Sequence, residues 1–135
     1  YSISYVLISS YEVEYFTIAS KGNGIAFGDL IGTVSKCTAV SNSIRGVEGG
    51  GGTSANDMCF VTIATLGDAT DFGNLSQARH ASCTSSDGCR QLVCGGYVSA
   101  AANTIDYHNI PIVGNSADFG DLTQARSNSG GTSGD

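Results

Sequence analysis

The side chains able to do chemistry are few and widely spaced. The histidines are His80 and His108, and neither belongs to a His-x-x-x-His or Cys-x-x-Cys ligand set. The five cysteines are Cys37, Cys59, Cys83, Cys89 and Cys94. An odd number cannot all pair within one chain, so a reduced, partly buried set is expected. Cys83 and Cys89 flank "TSSDG", a hairpin turn, where a local disulfide is the alternative. Serines abound, but no Gly-x-Ser-x-Gly places one on a nucleophile turn. "GDATDFGN" at 67–74 lacks the alternating oxygens and closing Glu of a hand-type calcium loop. No calcium site is assigned at Asp68 and Asp71, or at Asn115, Asp118 and Asp121, because Asp and Asn recur there as turn formers. "GVEGGGG" at 46–52 has glycines but no following Lys-Ser/Thr to hold a phosphate. The sequence therefore predicts no catalytic residue, no metal site and no cofactor.

Charge narrows the partners. The net charge is −6 over 135 residues, and the basic residues Lys21, Lys36, Arg45, Arg79, Arg90 and Arg126 are scattered. Without a basic patch, no nucleic-acid partner is expected. No apolar run reaches membrane-spanning length, so no membrane insertion is expected. The opening "YSISYVLISSYEVEYF" alternates like strands and has no basic leader region. The chain begins at Tyr, and we read it as a fragment of a longer protein. With 19 Gly, one Pro and no sustained 3.6-residue period, the chain is expected to be all-β with many turns.

One sentence is written three times. "VEYFTIASKGNGIAFGDL" spans 13–30, "MCFVTIATLGDATDFGNL" spans 58–75 and "IDYHNIPIVGNSADFGDL" spans 105–122, at offsets of 45 and 47 residues. Equivalent positions hold Tyr15, Phe60 and Tyr107; Ile18, Ile63 and Ile110; Phe27, Phe72 and Phe119; and Leu30, Leu75 and Leu122. A second block recurs as "RGVEGGG" at 45–51 and "RQLVCGG" at 90–96. A period of this length points to a propeller or solenoid built from one supersecondary unit. Each unit is expected to hold four short strands separated by Gly, Asn and Asp turns. The units are placed at 1–34 (partial), 35–79 and 80–126, with 127–135 as a flexible tail or the start of a further unit.

The ordered landmarks resemble the kelch repeat. They are Arg79, the apolar run Leu92-Val93-Cys94 ending in Gly95-Gly96, the acidic–aromatic pair Asp106-Tyr107, then Phe119, Leu122 and Arg126. The preceding unit gives Gly49-Gly50, Cys59-Phe60, Phe72, Leu75 and Arg79. Phenylalanine stands where the kelch unit usually has Trp, and Cys59 replaces the acidic residue. The first unit has Ile8-Ser9-Ser10 for the glycine pair and Val34 for the closing Arg. The phrasing is similar to tandem kelch-like repeats in structural proteins of tailed phages, cyanophages in particular. The resemblance implies a four-stranded antiparallel propeller blade, with about three blades here belonging to a larger propeller. It further implies a non-enzymatic structural or binding module of a virion, in a tail fibre or surface appendage. Its partners would be other virion proteins, further blades of the parent chain or a second copy, and a host glycan or surface protein. The alternatives are a secreted or cell-surface protein, a cellular kelch-type interaction module, and a carbohydrate-active propeller enzyme.

Within such a unit the repeated aromatic and aliphatic positions are expected to form the core. Gly49-Gly50 and Gly95-Gly96 are expected where backbones approach closely. Arg79 and Arg126 each follow an acidic residue, Asp71 and Asp118, and an Arg–carboxylate pair linking units is expected from these. The segments after the glycine pairs, 51–57 and 97–104, differ most between units and are the expected contact loops.

Overall fold

The computed structural model describes residues 3–7, 11–52 and 55–133. Ile8, Ser9 and Ser10, which stand for the first glycine pair, and Thr53 and Ser54 of the first contact loop lie outside the described residues. The fold is all-β. Sheet I contains β1 (Ile3–Leu7), β2 (Glu12–Thr17) and β3 (Ile25–Asp29). Sheet II contains β4 (Thr38–Ser41), β5 (Arg45–Gly49), β6 (Asp57–Thr62) and β7 (Thr70–Asn74). Sheet III contains β8 (Cys83–Ser86), β9 (Arg90–Cys94), β10 (Ala102–Asn109) and β11 (Ala117–Arg126). Every sheet is an antiparallel meander with strands in chain order.

Register explains why the Phe-Gly dipeptide recurs. Val13 faces Gly28 while Glu14 faces Ala26, so Phe27 is an extra residue in the outer strand. Phe72 is extra between Met58–Gly73 and Cys59–Asp71, and Phe119 between Ile105–Gly120 and Asp106–Asp118. A bulge at this place turns the aromatic out of its own ladder and toward the next sheet. Phe27 and Phe72 are buried, each edge-on to the aromatic of the neighbouring strand, Tyr15 and Phe60. The following glycine lets the next sheet approach. A Cβ on Gly73, already at φ 136°, would sit 2.5 Å from the Gly114 carbonyl oxygen, and one on Gly28 would strike the Gly67 carbonyl.

The core lies between sheets. Val13, Phe27, Leu30, Cys59 and Val61 fill the space between sheets I and II. Val47, Met58, Phe72, Leu75, Val93 and Ile110 fill that between II and III. Phe119, equivalent to Phe72, is 53% exposed, and Ile18, equivalent to the fully buried Ile110, is 62% exposed. They face away from the stack at its two ends, where no further sheet among the described residues covers them. Tyr15, Phe60, Tyr107, Ile63 and Leu122 are half-buried.

A third path runs beyond β11. Ala81 donates its amide to the Lys36 carbonyl at 2.8 Å, and Asn128 donates to the Ala81 carbonyl at 2.8 Å. Lys36, Ala81 and Asn128 share a left-handed φ of 54–56°. Further on, Ser85 donates to the Thr132 carbonyl and the Ser86 amide donates to the Ser133 hydroxyl. Residues 128–133 thus lie beside β8 much as β8 lies beside β4, where the Thr38 hydroxyl donates to that of Thr84 at 3.0 Å. We predict that Gly73→Ala destabilises the chain more than Gly67→Ala. Gly67 has a similar φ of 147° but open space at its Cβ position. The Gly67 variant should cost about 1–3 kcal/mol for backbone strain alone. Urea unfolding of the two variants checks this, and equal losses would contradict the close approach.

Candidate functional site

The chemically richest ground lies in the seams between sheets. At the II–III seam the chain leaves β7, and Arg79 belongs to both sides. Its carbonyl accepts the Gly51 amide of sheet II at 3.0 Å. Its side chain is fully buried in sheet III, where Nη2 meets Asp106 Oδ2 at 3.0 Å and donates to the Val93 carbonyl at 3.1 Å. The two oxygens of Asp106 also accept the Ser76 amide at 2.9 Å and hydroxyl at 2.6 Å. Burial lowers the Arg79 pKa while the Asp106 carboxylate opposes the shift, and a guanidinium in contact with a carboxylate stays charged.

The carboxylate that Arg79 meets is therefore Asp106, not Asp71. Asp71 and Asp118 turn back on their own bulges and accept the amides of Gly73 at 3.2 Å and Gly120 at 3.1 Å. Arg126 repeats only the backbone half of the arrangement: its carbonyl accepts the Gly96 amide at 2.8 Å, and its side chain is exposed. The glycine pair equivalent to Gly95-Gly96 is Gly50-Gly51 rather than Gly49-Gly50. Gly50 and Gly95 have φ 68° and 62°, Gly51 and Gly96 have φ 102° and 109°, whereas Gly49 takes the place of Cys94 in the strand. A Cβ on Gly50 would lie 2.6 Å from the Arg79 carbonyl oxygen, and one on Gly95 2.5 Å from that of Arg126. The pair makes room for the arginine backbone.

A second clamp, which the sequence pattern does not announce, ties the outer strands together. Asp68 Oδ1 accepts the Asp29 amide of the preceding sheet at 3.0 Å, and Asn115 Oδ1 accepts the Asn74 amide at 3.0 Å. Backbone bonds flank each clamp: Gly67 to Phe27 and Ala69 to Asp29 at one seam, Gly114 to Phe72 and Ser116 to Asn74 at the other. The recurring Asp or Asn after glycine is thus fixed by the neighbouring unit as well as by its own turn. Another recurrence is an arginine over an aromatic ring, Arg45 on Phe60 and Arg90 on Tyr107. Arg45 also reaches the carbonyls of Ile110 and Pro111 in the turn after β10.

The I–II seam departs from this plan. Val34 holds the place of Arg79, Ile31 that of Ser76 and Cys59 that of Asp106. The buried acid sits across the ladder: Glu48 faces Cys59, as Val93 faces Asp106. The Cys59 thiol donates to Glu48 Oε2 at 3.3 Å, while Oε1 has no partner. Desolvation pushes the Glu48 pKa up to about 7 against the stabilising thiols of Cys59 and Cys37. Burial and the Glu48 charge push the Cys37 thiol up to about 12 and raise that of Cys59 as well. The cysteines are free thiols; Cys83 stands opposite Cys94 in the β8–β9 register, and Cys89 is exposed at the hairpin.

One hydroxyl lies beside a base. Ser116 Oγ is 3.3 Å from His108 Nδ1, and His108 is buried against the Phe72 ring at 5.0 Å between centroids. A hydrolytic triad needs a carboxylate on the other ring nitrogen, but Nε2 has no partner and Asp106 is held by Arg79 and Ser76. His80 instead stacks on Tyr97. Among the described residues no group of three or more His, Cys, Asp or Glu is arranged to hold a metal ion. No protein-family model matches this chain, and no curated protein matches it significantly.

Two buried groups give opposite pH trends. Desolvation lowers the His108 pKa from 6.5 to about 4, so its contribution to stability is present above 6.5 and is lost as pH falls toward 4. Glu48 is raised from 4.5 to about 7, so its contribution is present below 4.5 and is lost as pH rises through 7. We predict that the unfolding free energy of the wild type relative to His108→Val rises between pH 4 and 6.5. Relative to Glu48→Gln it should fall between pH 4.5 and 7. Urea titrations across this range check both, and flat difference profiles would show that neither group is buried as described.

Proposed function

We propose that this chain is a run of kelch-like propeller blades serving as a non-enzymatic structural or binding module of a phage particle, in a tail fibre or surface appendage. The observation that carries the modular reading is the seam itself. The same backbone bonds and the same Asp or Asn clamp join sheet I to II and sheet II to III, and residues 128–133 begin the path again. The virion setting rests on the phrasing of the repeats. A host glycan or surface protein would meet the variable rim after the glycine pairs, where Tyr97 and Val98 are exposed.

The two ends of the stack are complementary halves of a seam. Sheet III presents Phe119, Gly120 and Arg126, with open space at the Gly120 Cβ position. Sheet I presents Asn23 in the place of Asp68 and Asn115, and Glu14 in the place of Asp106. Arg126 and Glu14 are thus the separated partners of an Arg79–Asp106 type pair. This favours completion of the stack by further blades of the parent chain or by copies of this one.

The native mass of the smallest stable particle, measured with the intact subunit mass, tests the proposal. We expect a particle holding more repeats than one 13.7 kDa chain, in one polypeptide or several. If the chain self-associates, Arg126→Glu and Glu14→Arg should each disrupt the particle, and the two together should restore it. A stable, monodisperse 13.7 kDa monomer would overturn the modular reading.

A further inference from the structure

At the I–II seam, between the segment that follows β3 and sheet II, lies a pocket of about 110 Å³, lined by Leu30, Val34, Glu48, Met58 and Cys59 among others. Ile31, Gly32, Thr33 and Asp57 form its exposed mouth. At the II–III seam the equivalents of Val34 and Cys59 are Arg79 and Asp106, a guanidinium meeting a buried carboxylate. At the I–II seam the cation has been lost, since Val34 stands for Arg79, but a buried carboxylate is still present on the facing strand. Glu48 is 6% exposed, and its Oε1 has no hydrogen-bond partner.

We propose that this pocket is a binding site for a guanidinium group supplied from outside the chain, which replaces at the I–II seam the side chain that Arg79 provides at the next. The chemistry matches on three counts. A planar guanidinium donates several hydrogen bonds in a fixed fork, so it can pair with the carboxylate of Glu48, which lines the pocket, and with neighbouring acceptors together. A buried acid without a counter-charge is driven toward its neutral form, and a paired cation restores its charge. Asp57, at the mouth, adds a second negative charge along the entry path. The titratable groups facing Glu48 are Cys59 and Asp57 from β6 and Cys37 ahead of β4. The 30–34 segment contributes none. With both thiols held protonated, Glu48 is the anion that recruits the ligand above neutral pH.

The test uses methylguanidinium as probe, titrated into the wild-type chain at pH 8 with KCl-matched controls and followed by amide NMR. We expect saturable shifts confined to residues around Val34, Glu48 and Cys59, and affinity at least tenfold weaker at pH 5.5, where Glu48 is mostly protonated. Glu48→Gln should abolish the response. Val34→Arg should also abolish it and raise the melting temperature, because the seam then supplies its own cation. An N-acetyl, C-amidated Gly-Arg-Gly peptide forms a second arm. Binding by the peptide as well assigns the site to a partner's arginine, and binding by methylguanidinium alone assigns it to a small-molecule ligand. Absence of saturable shifts in the wild type at pH 8, or equal affinity at pH 8 and 5.5, would overturn the proposal even if a variant failed to fold.

Discussion

Arg79 is the residue on which the stacking of sheets II and III depends. It holds sheet II with its backbone and sheet III with its side chain, so the connection between units also carries a buried ion pair. A fully buried arginine is tolerable only if its charge is met, because an isolated charge in a protein interior carries a large desolvation penalty. Asp106 meets it through Nη2, and the Ser76 amide and hydroxyl bind the same carboxylate, while Arg79 Nε and Nη1 have no hydrogen-bond partner. The glycine pair then has a mechanical purpose. Side chains at Gly50 or Gly95 would displace the arginine carbonyl that anchors the crossing.

The bulged phenylalanine and the glycine after it complete the arrangement on the outer side. The bulge aims Phe72 into the space between sheets, where it meets Phe60 and His108, and Gly73 lets the next turn approach. Polar anchoring at one place and aromatic packing at another fix the spacing of sheets II and III, with aliphatic side chains filling the remaining space and glycines where backbones meet. This accounts for a composition rich in glycine and poor in charge. It also accounts for the open ends: a unit suited to being covered on both faces exposes Ile18 on one and Phe119 on the other where no further sheet among the described residues covers them.

Most of the strand order is legible in the sequence because the repeat is in phase. Two blocks recurring at the same offset identify equivalent positions from residue types and spacing alone, and Phe27, Phe72 and Phe119 fall at the same bulge. The ion pair is harder to read, because Asp71 is close to Arg79 in sequence whereas the true partner lies on β10 of the following unit. The acidic–aromatic pair Asp106-Tyr107 carries the signal, and Glu14-Tyr15 repeats it in the first unit. The glycine pair is easily displaced by one residue because "VEGGGG" offers several choices; the 45-residue offset selects Gly50 and Gly51. Glu48 cannot be recognised as a buried acid from its sequence neighbours, since its partner Cys59 becomes meaningful only when set against Val93 and Asp106 across the same pair of strands.

The coupling between Arg79 and Asp106 is the most direct measure of this account. A double-mutant cycle with Arg79→Met and Asp106→Leu, read by urea unfolding, isolates it from the packing changes of each single variant. Each single replacement should cost about 3–5 kcal/mol by leaving its partner buried and uncompensated. The double variant should lose well under the sum, with a coupling of about 2 kcal/mol or more. Additive losses would contradict the central claim, because the arginine would then contribute nothing through its carboxylate and the seam would be held by packing alone.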